Sequence, residues 1–302
     1  MIQSLRAKVV NFTANRITAK HISIGMVFLK LVLVAIVLVK YLPTASVSDW
    51  HVDSTFFWFV LAGFLAQIVD GALGMAYGAT SSAVLLGYGL SPKLASAAVH
   101  SAEVFTTGVS GLSHIKLGNF DKPLFFKLIV PGVLSASLGA FLLGSVLDGD
   151  YVRPFINAYL LILGVIILLK SFRKKLAIKR NVKHAPILAA FGGFFDAIGG
   201  GGWGPIVTSN LISKGNAPAK VIGTVNTAEF FVTYFSAGIL IYFTGIQSWQ
   251  IILGLILGGC LAAPLGAYVT KQIPQKALFI IVGLLVMITS LYSLWNVFSS
   301  SL

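Results

Sequence analysis

Nine acidic residues occur in this chain of 302, and four of them stand inside long apolar stretches. Asp70 and Asp196 each head a glycine-rich break, whereas Glu103 and Glu229 lie in uninterrupted apolar runs. The other five, Asp49, Asp53, Asp121, Asp148 and Asp150, fall in connecting segments. An ionised carboxylate near the centre of a membrane helix costs about 2.5–3.5 kcal/mol. Four together cost on the order of 10 kcal/mol unless they are paired, hydrated or protonated. Asp70, Asp196, Glu103 and Glu229 are therefore the candidate coupling or gating groups, with protonation of the two glutamates as the expected chemistry.

Each glutamate has polar company at helical spacing. His100, Glu103, Thr107 and Ser110 share one face, as do Asn226, Glu229, Thr233 and Ser236, at i, i+3, i+7 and i+10. A polar stripe on an apolar helix faces protein or an aqueous cavity and not lipid. Helix–helix hydrogen bonding is the bland alternative, and the recurrence of glutamate favours a pathway. His100 can change charge near neutral pH and Asn226 cannot, so the two stripes are not equivalent.

The glycine-rich breaks offer the opposite chemistry. A half-helix N-terminus presents unpaired N–H groups and the positive end of the helix dipole, which attract anions, and glycine lets a ligand approach the backbone closely. Gly74 and Gly78 in the first break, and Gly200, Gly201, Gly202 and Gly204 in the second, are the candidate anion contacts. Thr80, Ser81 and Thr208 would add hydroxyls, and His100 and Asn226 complete the expected binding set. Asp70 and Asp196 have two compatible roles open to them, capping the N–H groups after each break and acting in transport. The stretch Gly199–Gly204 looks superficially like a phosphate-binding loop, but no Lys-Ser or Lys-Thr follows it and no strand precedes it, so a nucleotide site is rejected. No HExxH, CxxC or GxSxG pattern is present. Catalytic residues, a metal and a cofactor are accordingly not expected, and the chain does not read as an enzyme.

The elements that must hold these groups follow from composition. Hydrophobic residues make up 57% and charged residues 10%, with a mean hydropathy of +0.90, far from the roughly 25% charged of a soluble domain. This excludes a water-soluble globule, a disordered chain and a nucleic-acid-binding module, and makes the lipid bilayer the surroundings of an all-α polytopic protein. Apolar segments run at about 22–42, 54–90, 92–115, 123–147, 153–172, 185–214, 217–243, 248–270 and 276–297. Two of them, 54–90 and 185–214, exceed a simple span and are interrupted at their glycines. Each therefore reads as two half-helices or a re-entrant hairpin. The lone cysteine, Cys260, permits no intramolecular disulfide.

Laying the chain over itself at an offset of 126 pairs Asp70 with Asp196, Gly74 with Gly200, Gly78 with Gly204, Leu85 with Leu211, Gly89 with Gly215 and Pro92 with Pro218. It continues through Val99 and Val225, Ala102 and Ala228, Glu103 and Glu229, Phe105 and Phe231, Thr107 and Thr233, and Ser110 and Ser236, or 12 identities in positions 70–110. Chance matching of apolar helices would not pair the rare acids. If each broken segment enters and leaves on one side and the N-terminus is cytoplasmic, 18 of the 22 basic residues fall inside. Only Lys40, Lys93 and Arg153 lie outside, and Lys30 is mid-span. A single crossing per broken segment would split them about evenly, so the first topology satisfies the positive-inside rule. Three full spans then follow each broken segment and invert the second copy relative to the first, the arrangement of secondary transporters with midplane sites.

The expected organisation is a basic interfacial segment at 1–21, an extra span and outer loop at 22–53, a first repeat at 54–172, a basic cytoplasmic linker at 173–184 and a second repeat at 185–297. The C-terminus would lie on the outer side.

With these residues in hand, a family resemblance becomes specific. The glycine-broken helix, the helix start at Pro92 or Pro218, and the stretches Ala95-Ser-Ala-Ala-Val-His-Ser-Ala-Glu103 and Val221-Ile-Gly-Thr-Val-Asn-Thr-Ala-Glu229 resemble the TauE/SafE family of sulfite and organosulfonate exporters over about residues 54–297. The resemblance implies export of a small sulfur-containing anion across a bacterial inner membrane, with both repeats lining the path. A passive anion channel, a carrier for another small anion or a cation, and a membrane-embedded protease or assembly subunit are the competing readings.

Overall fold

The structure, a computed structural model, describes residues 17–41, 52–172, 182–213, 216–247, 249–269 and 275–299. Most of the basic N-terminal segment, most of the linker at 173–184 and Gly215 lie outside the described residues.

Among the described residues the regular structure is helical, without a strand. Helix α1 spans Ala19–Tyr41, α2 Ser54–Leu73, α3 Tyr77–Gly87 and α4 Pro92–Lys116. Helix α5, Lys122–Phe141, runs into a π-helical turn at Leu142–Val146, and α6 is Gly149–Lys170. Helix α7 is Ala185–Gly199; a π-helical turn at Gly204–Thr208 leads into the short α8, Ser209–Ser213. Helices α9, α10 and α11 are Pro218–Thr244, Trp249–Val269 and Gln275–Ser299.

Among the described residues six stretches are long and apolar enough to cross a membrane: Ala19–Lys40, Ser54–Gly71, Lys122–Val146, Tyr151–Lys170, Pro218–Thr244 and Lys276–Ser299. Two shorter apolar helices are Ala185–Gly199 and Trp249–Leu265. Helix α4 is missing from the six although its 25 residues reach about 37 Å. The reason is its buried polar content, which includes Ser96, His100, Ser101, Glu103, Thr106, Thr107 and Ser110.

The distribution of side chains is inside-out for a water-soluble protein. Large apolar groups such as Phe57, Trp58, Leu65, Leu134, Leu138, Phe155, Ile288 and Trp295 are exposed, and as a continuous property of many helices this suits contact with lipid. The interior holds alanines and the rare polar groups Gln67, Asp70, His100, Glu103, Asp196, Asn226 and Glu229.

Helix packing is regular at the offset of 126 positions. Helix α2 packs on α10 as α7 packs on α5, while α4 packs on α9 and α6 on α11. Exchanging each helix of residues 54–172 for the one 126 positions later leaves these pairings unchanged. Small residues let the backbones close up: a Cβ on Gly63 would lie 2.6 Å from the Leu255 carbonyl oxygen across α2 and α10, and one on Gly193 would lie 2.6 Å from that of Gly132 across α7 and α5. Helix α1 stands apart from this scheme. It rests on α4 and α9, where Lys30 Nζ donates to the Phe105 carbonyl at 3.4 Å and lies 5.9 Å from the centre of the Phe230 ring.

Candidate transport site at two crossing helix tips

Helix α2 stops at Leu73 because Gly74 takes the left-handed conformation, φ +66°, and its N–H turns back to the Asp70 carbonyl at 2.5 Å. Gly200 ends α7 in the same way, with φ +66° and its N–H 2.5 Å from the Asp196 carbonyl. Left-handed backbone strains any residue with a Cβ, which explains glycine at both positions.

Beyond each stop the aspartate reaches forward. Asp70 Oδ1 accepts from the N–H groups of Ala76, 3.1 Å, and Tyr77, 3.5 Å. Asp196 Oδ1 accepts from Gly202, 2.7 Å, and Trp203, 3.0 Å. The second pair is the first shifted by 126 positions. Each carboxylate thus caps the start of the following segment, and these N–H groups are occupied by the chain's own acids. An incoming anion must find other donors there. The aromatic residues that follow are both fully buried and each donates once to a neighbouring helix: Tyr77 Oη to the Leu255 carbonyl at 3.2 Å, Trp203 Nε1 to that of Val225 at 3.3 Å.

The two tips lie against each other. A Cβ on Gly78 would meet the Gly200 carbonyl oxygen at 2.5 Å and Glu103 Oε1 at 2.9 Å; one on Gly201 would strike the Ala79 backbone, and one on Gly204 would strike Met75 and come within 3.2 Å of the Gly74 carbonyl oxygen. Ser82 Oγ adds a direct hydrogen bond to the Gly200 carbonyl at 2.9 Å. Gly74, Gly78, Gly200, Gly201 and Gly204 therefore meet at the crossing, with Gly202 held by Asp196. Thr80, Ser81 and Thr208 are buried beside it, and their hydroxyls have no hydrogen-bond partner.

Helix α4 brings its acid to this crossing. His100 Nε2 lies 3.4 Å from Asp196 Oδ2. One donor atom from each of His100, Glu103 and Asp196 falls within 4.8 Å of the others, and all three residues are buried. His100 Nδ1 is 2.8 Å from the Ser96 carbonyl; a carbonyl only accepts, so Nδ1 carries the proton. Ser96 Oγ donates to the Ala197 carbonyl at 2.7 Å, tying α4 to the end of α7.

The counterparts 126 positions later are arranged differently. Asn226 Nδ2 donates to Ser110 Oγ at 2.8 Å. Among the described residues no hydrogen bond or ion pair joins Asn226 to Asp70 in the way that His100 faces Asp196. The stripe hydroxyls Thr107 and Thr233 bond back to the carbonyls of Glu103 and Glu229 on their own helices.

Three further buried polar groups lie around the tips. Gln67 is fully buried one turn before Asp70, with neither amide atom partnered. Its signal was a lone amide in an apolar run. Tyr159 of α6 lies against Gly199 and Gly202, its hydroxyl unpartnered; a tyrosine in an apolar span carries no such signal. Ser96 is one turn before His100, a spacing that could have marked it.

The chain matches the family model described as Sulfite exporter TauE/SafE over residues 59–293. It belongs to the TauE/SafE family. This TauE/SafE chain is also 41% identical over 249 residues to "Probable membrane transporter protein YtnM" of Bacillus subtilis (strain 168), covering 79% of this chain and 82% of that protein. No solved structure matches it. The matched region begins inside α2, so α1 and its Lys30 stand outside the part that the TauE/SafE model describes. Together with the apolar helices, membership makes the protein a multi-pass membrane protein of a transporter family.

Proposed function

We propose that this protein is a secondary transporter that exports a small sulfur-containing anion, sulfite or an organosulfonate, from a bacterial cytoplasm across the inner membrane. The observation that carries the reading is the contact of two aspartate-capped tips, one from each copy, at a buried centre bordered by Glu103 and by unpartnered hydroxyls. Discontinuous helices meeting near the bilayer midplane are where secondary transporters hold their substrates. The exchange-symmetric packing and the distribution of basic residues support two copies of inverted topology, with the N-terminus cytoplasmic and the C-terminus outside.

In this reading the anion is held by the hydroxyls of Thr80, Ser81 and Thr208, by His100 and Asn226, and by the tip backbone around Gly78, Gly201 and Gly204, while the N–H groups of Gly74, Gly200 and Gly202 stay bonded to Asp70 and Asp196. Glu103, Glu229, Asp70 and Asp196 couple or gate, because a buried anion beside four carboxylates must move together with positive charge. The two tips rock against one another to open the site to one side and then the other. Their tight contact at Gly78 and Gly201 favours such a carrier over an open channel.

Thermal-shift measurements on purified protein with sulfite, thiosulfate, sulfoacetate and sulfate test the reading. A concentration-dependent upward shift with sulfite or a sulfonate, absent with sulfate, is expected. Equal shifts with all four, or none, would remove the substrate assignment.

A further inference from the structure

Three buried donor atoms converge on one point that the transport reading leaves electrically unbalanced. His100 Nε2 and Asp196 Oδ2 face each other at 3.4 Å, and one potential ligand atom from each of His100, Glu103 and Asp196 lies within 4.8 Å of the others. His100 Nε2, Glu103 Oε2 and Asp196 Oδ2 are buried and without a hydrogen-bond partner. We propose that His100, Glu103 and Asp196 form a binding site for a single divalent cation of the Zn²⁺ or Mn²⁺ type, assembled between the two copies of the repeat.

The distances bear on which species fits. A charge-assisted N–H···O⁻ bond closes to about 2.7–2.9 Å, shorter than the 3.4 Å found here. Two ligands on a tetrahedral ion with bonds of about 2.1 Å stand about 3.4 Å apart. A proton bridges only two atoms at a time and would leave the third unpartnered, whereas one cation takes all three once the Glu103 side chain closes in from a separation of up to 4.8 Å. Two carboxylates and a neutral imidazole also cancel the charge of a dication, which suits a site inside the bilayer. A mixed nitrogen and oxygen donor set suits zinc or manganese; calcium and magnesium take oxygen alone.

Each donor is already oriented. The Ser96 carbonyl holds the Nδ1–H of His100 at 2.8 Å, fixing Nε2 as the free lone pair, the second-shell arrangement common to metal-binding histidines. Asp196 Oδ1 is held by the N–H groups of Gly202 and Trp203, which leaves Oδ2 for the ion. Ser96 Oγ binds the Ala197 carbonyl at 2.7 Å, so one residue positions two of the three ligands. The second copy has Asn226 where the first has His100 and offers no second site of this kind.

Three protein ligands leave a fourth position open on a tetrahedral ion. If the transport reading holds, on which this clause alone rests, an oxygen of the exported anion takes that position, and the cation is what draws an anion among carboxylates.

The test uses the full chain purified in detergent, stripped with a chelator, desalted and titrated calorimetrically with Zn²⁺ and then Mn²⁺. One equivalent per chain is expected for at least one of the two ions. His100→Asn, which copies the second repeat, should keep the helical circular dichroism and weaken binding by at least about 100-fold. Absence of binding of both ions, or equal binding by His100→Asn, would overturn the proposal. X-ray absorption of the zinc-loaded wild type gives an independent reading, should the variant not fold. One imidazole nitrogen and two carboxylate oxygens are expected, and a sulfur ligand or two imidazoles would overturn it. Sulfite flux is measured separately: binding without flux sinks the transport reading and leaves the site, whereas flux without binding does the reverse.

Discussion

The segments that begin at Asp70 and, 126 positions later, at Asp196 share a break-and-cap pattern and differ in their chemistry. Both stop a helix with a left-handed glycine, both cap the next segment through an aspartate Oδ1, and both anchor that segment with a buried aromatic donor. They part at three places. His100 faces the aspartate of the other copy, while Asn226 turns to Ser110. Asp196 holds its N–H groups at 2.7 and 3.0 Å, Asp70 at 3.1 and 3.5 Å. Gly108 leaves room for Lys30 of α1, whereas its counterpart is Tyr234. The lesson is that a shared break-and-cap pattern carries unlike side chains, with His100, Glu103 and Asp196 brought together where α4 meets the end of α7.

The contrast can be broken most severely at the crossing itself. Gly78→Ala sets a methyl 2.5 Å from the Gly200 carbonyl oxygen and 2.9 Å from Glu103 Oε1. Backbone must shift, so a loss of about 2–3 kcal/mol and abolished sulfite flux are expected, read by thermal denaturation and proteoliposome assay. Gly74→Ala meets the Ile222 side chain first, which can repack, and suffers mainly from its positive φ, about 1 kcal/mol. Equal effects would show that the tips do not press on each other as described.

Removing the caps comes next. Asp196→Ala and Asp70→Ala each lose two backbone acceptor contacts, worth about 0.5–2 kcal/mol. Asp196→Ala should lower the thermal midpoint more, since its bonds are shorter and it also faces His100. The reverse order would place the stronger cap in the first copy.

Loss of the aromatic anchors should be nearly symmetric. Tyr77→Phe removes one buried hydrogen bond and leaves the Leu255 carbonyl a partner short, at about 1 kcal/mol. Trp203→Phe loses the corresponding bond to Val225 and also volume beside Gly132 and Gly192, so its effect on the midpoint should be somewhat greater.

The smallest effect is expected at Lys30→Met. The variant gives up a 3.4 Å hydrogen bond and a cation–π contact, but it also removes a cation from mid-span, which costs about 2.5–3.5 kcal/mol in an isolated helix. These terms oppose each other, so the midpoint should move by less than about 1 kcal/mol in stability, and flux should persist. A large loss of flux would make α1 part of the path.

Much of this was legible because the informative residues are rare. Four acids in an apolar chain mark themselves, and they pair at a fixed offset of 126 positions. Asp70 and Asp196 could be read as caps because they precede glycine-rich stretches. What the sequence could not display was which tip touches which. The approach of Gly201 to Ala79 and of Gly78 to Gly200 depends on the crossing of separate helices, as does the meeting of His100 with an aspartate 96 positions away. Thr107 and Thr233 looked like path-lining hydroxyls and instead bond to their own helix backbones, a local option that any helical threonine has. Tyr159 was hidden because an aromatic residue in a span ordinarily means lipid contact.

The central claim is that the crossing tips and their carboxylates form a saturable site exposed alternately to the two sides. Counterflow of labelled sulfite in proteoliposomes tests it most directly, with wild type beside the Glu103→Gln/Glu229→Gln double variant. The account predicts saturable uptake of label against unlabelled sulfite in the wild type and its loss in the double variant. Flux that is linear in concentration, or unchanged by the double substitution, would contradict it.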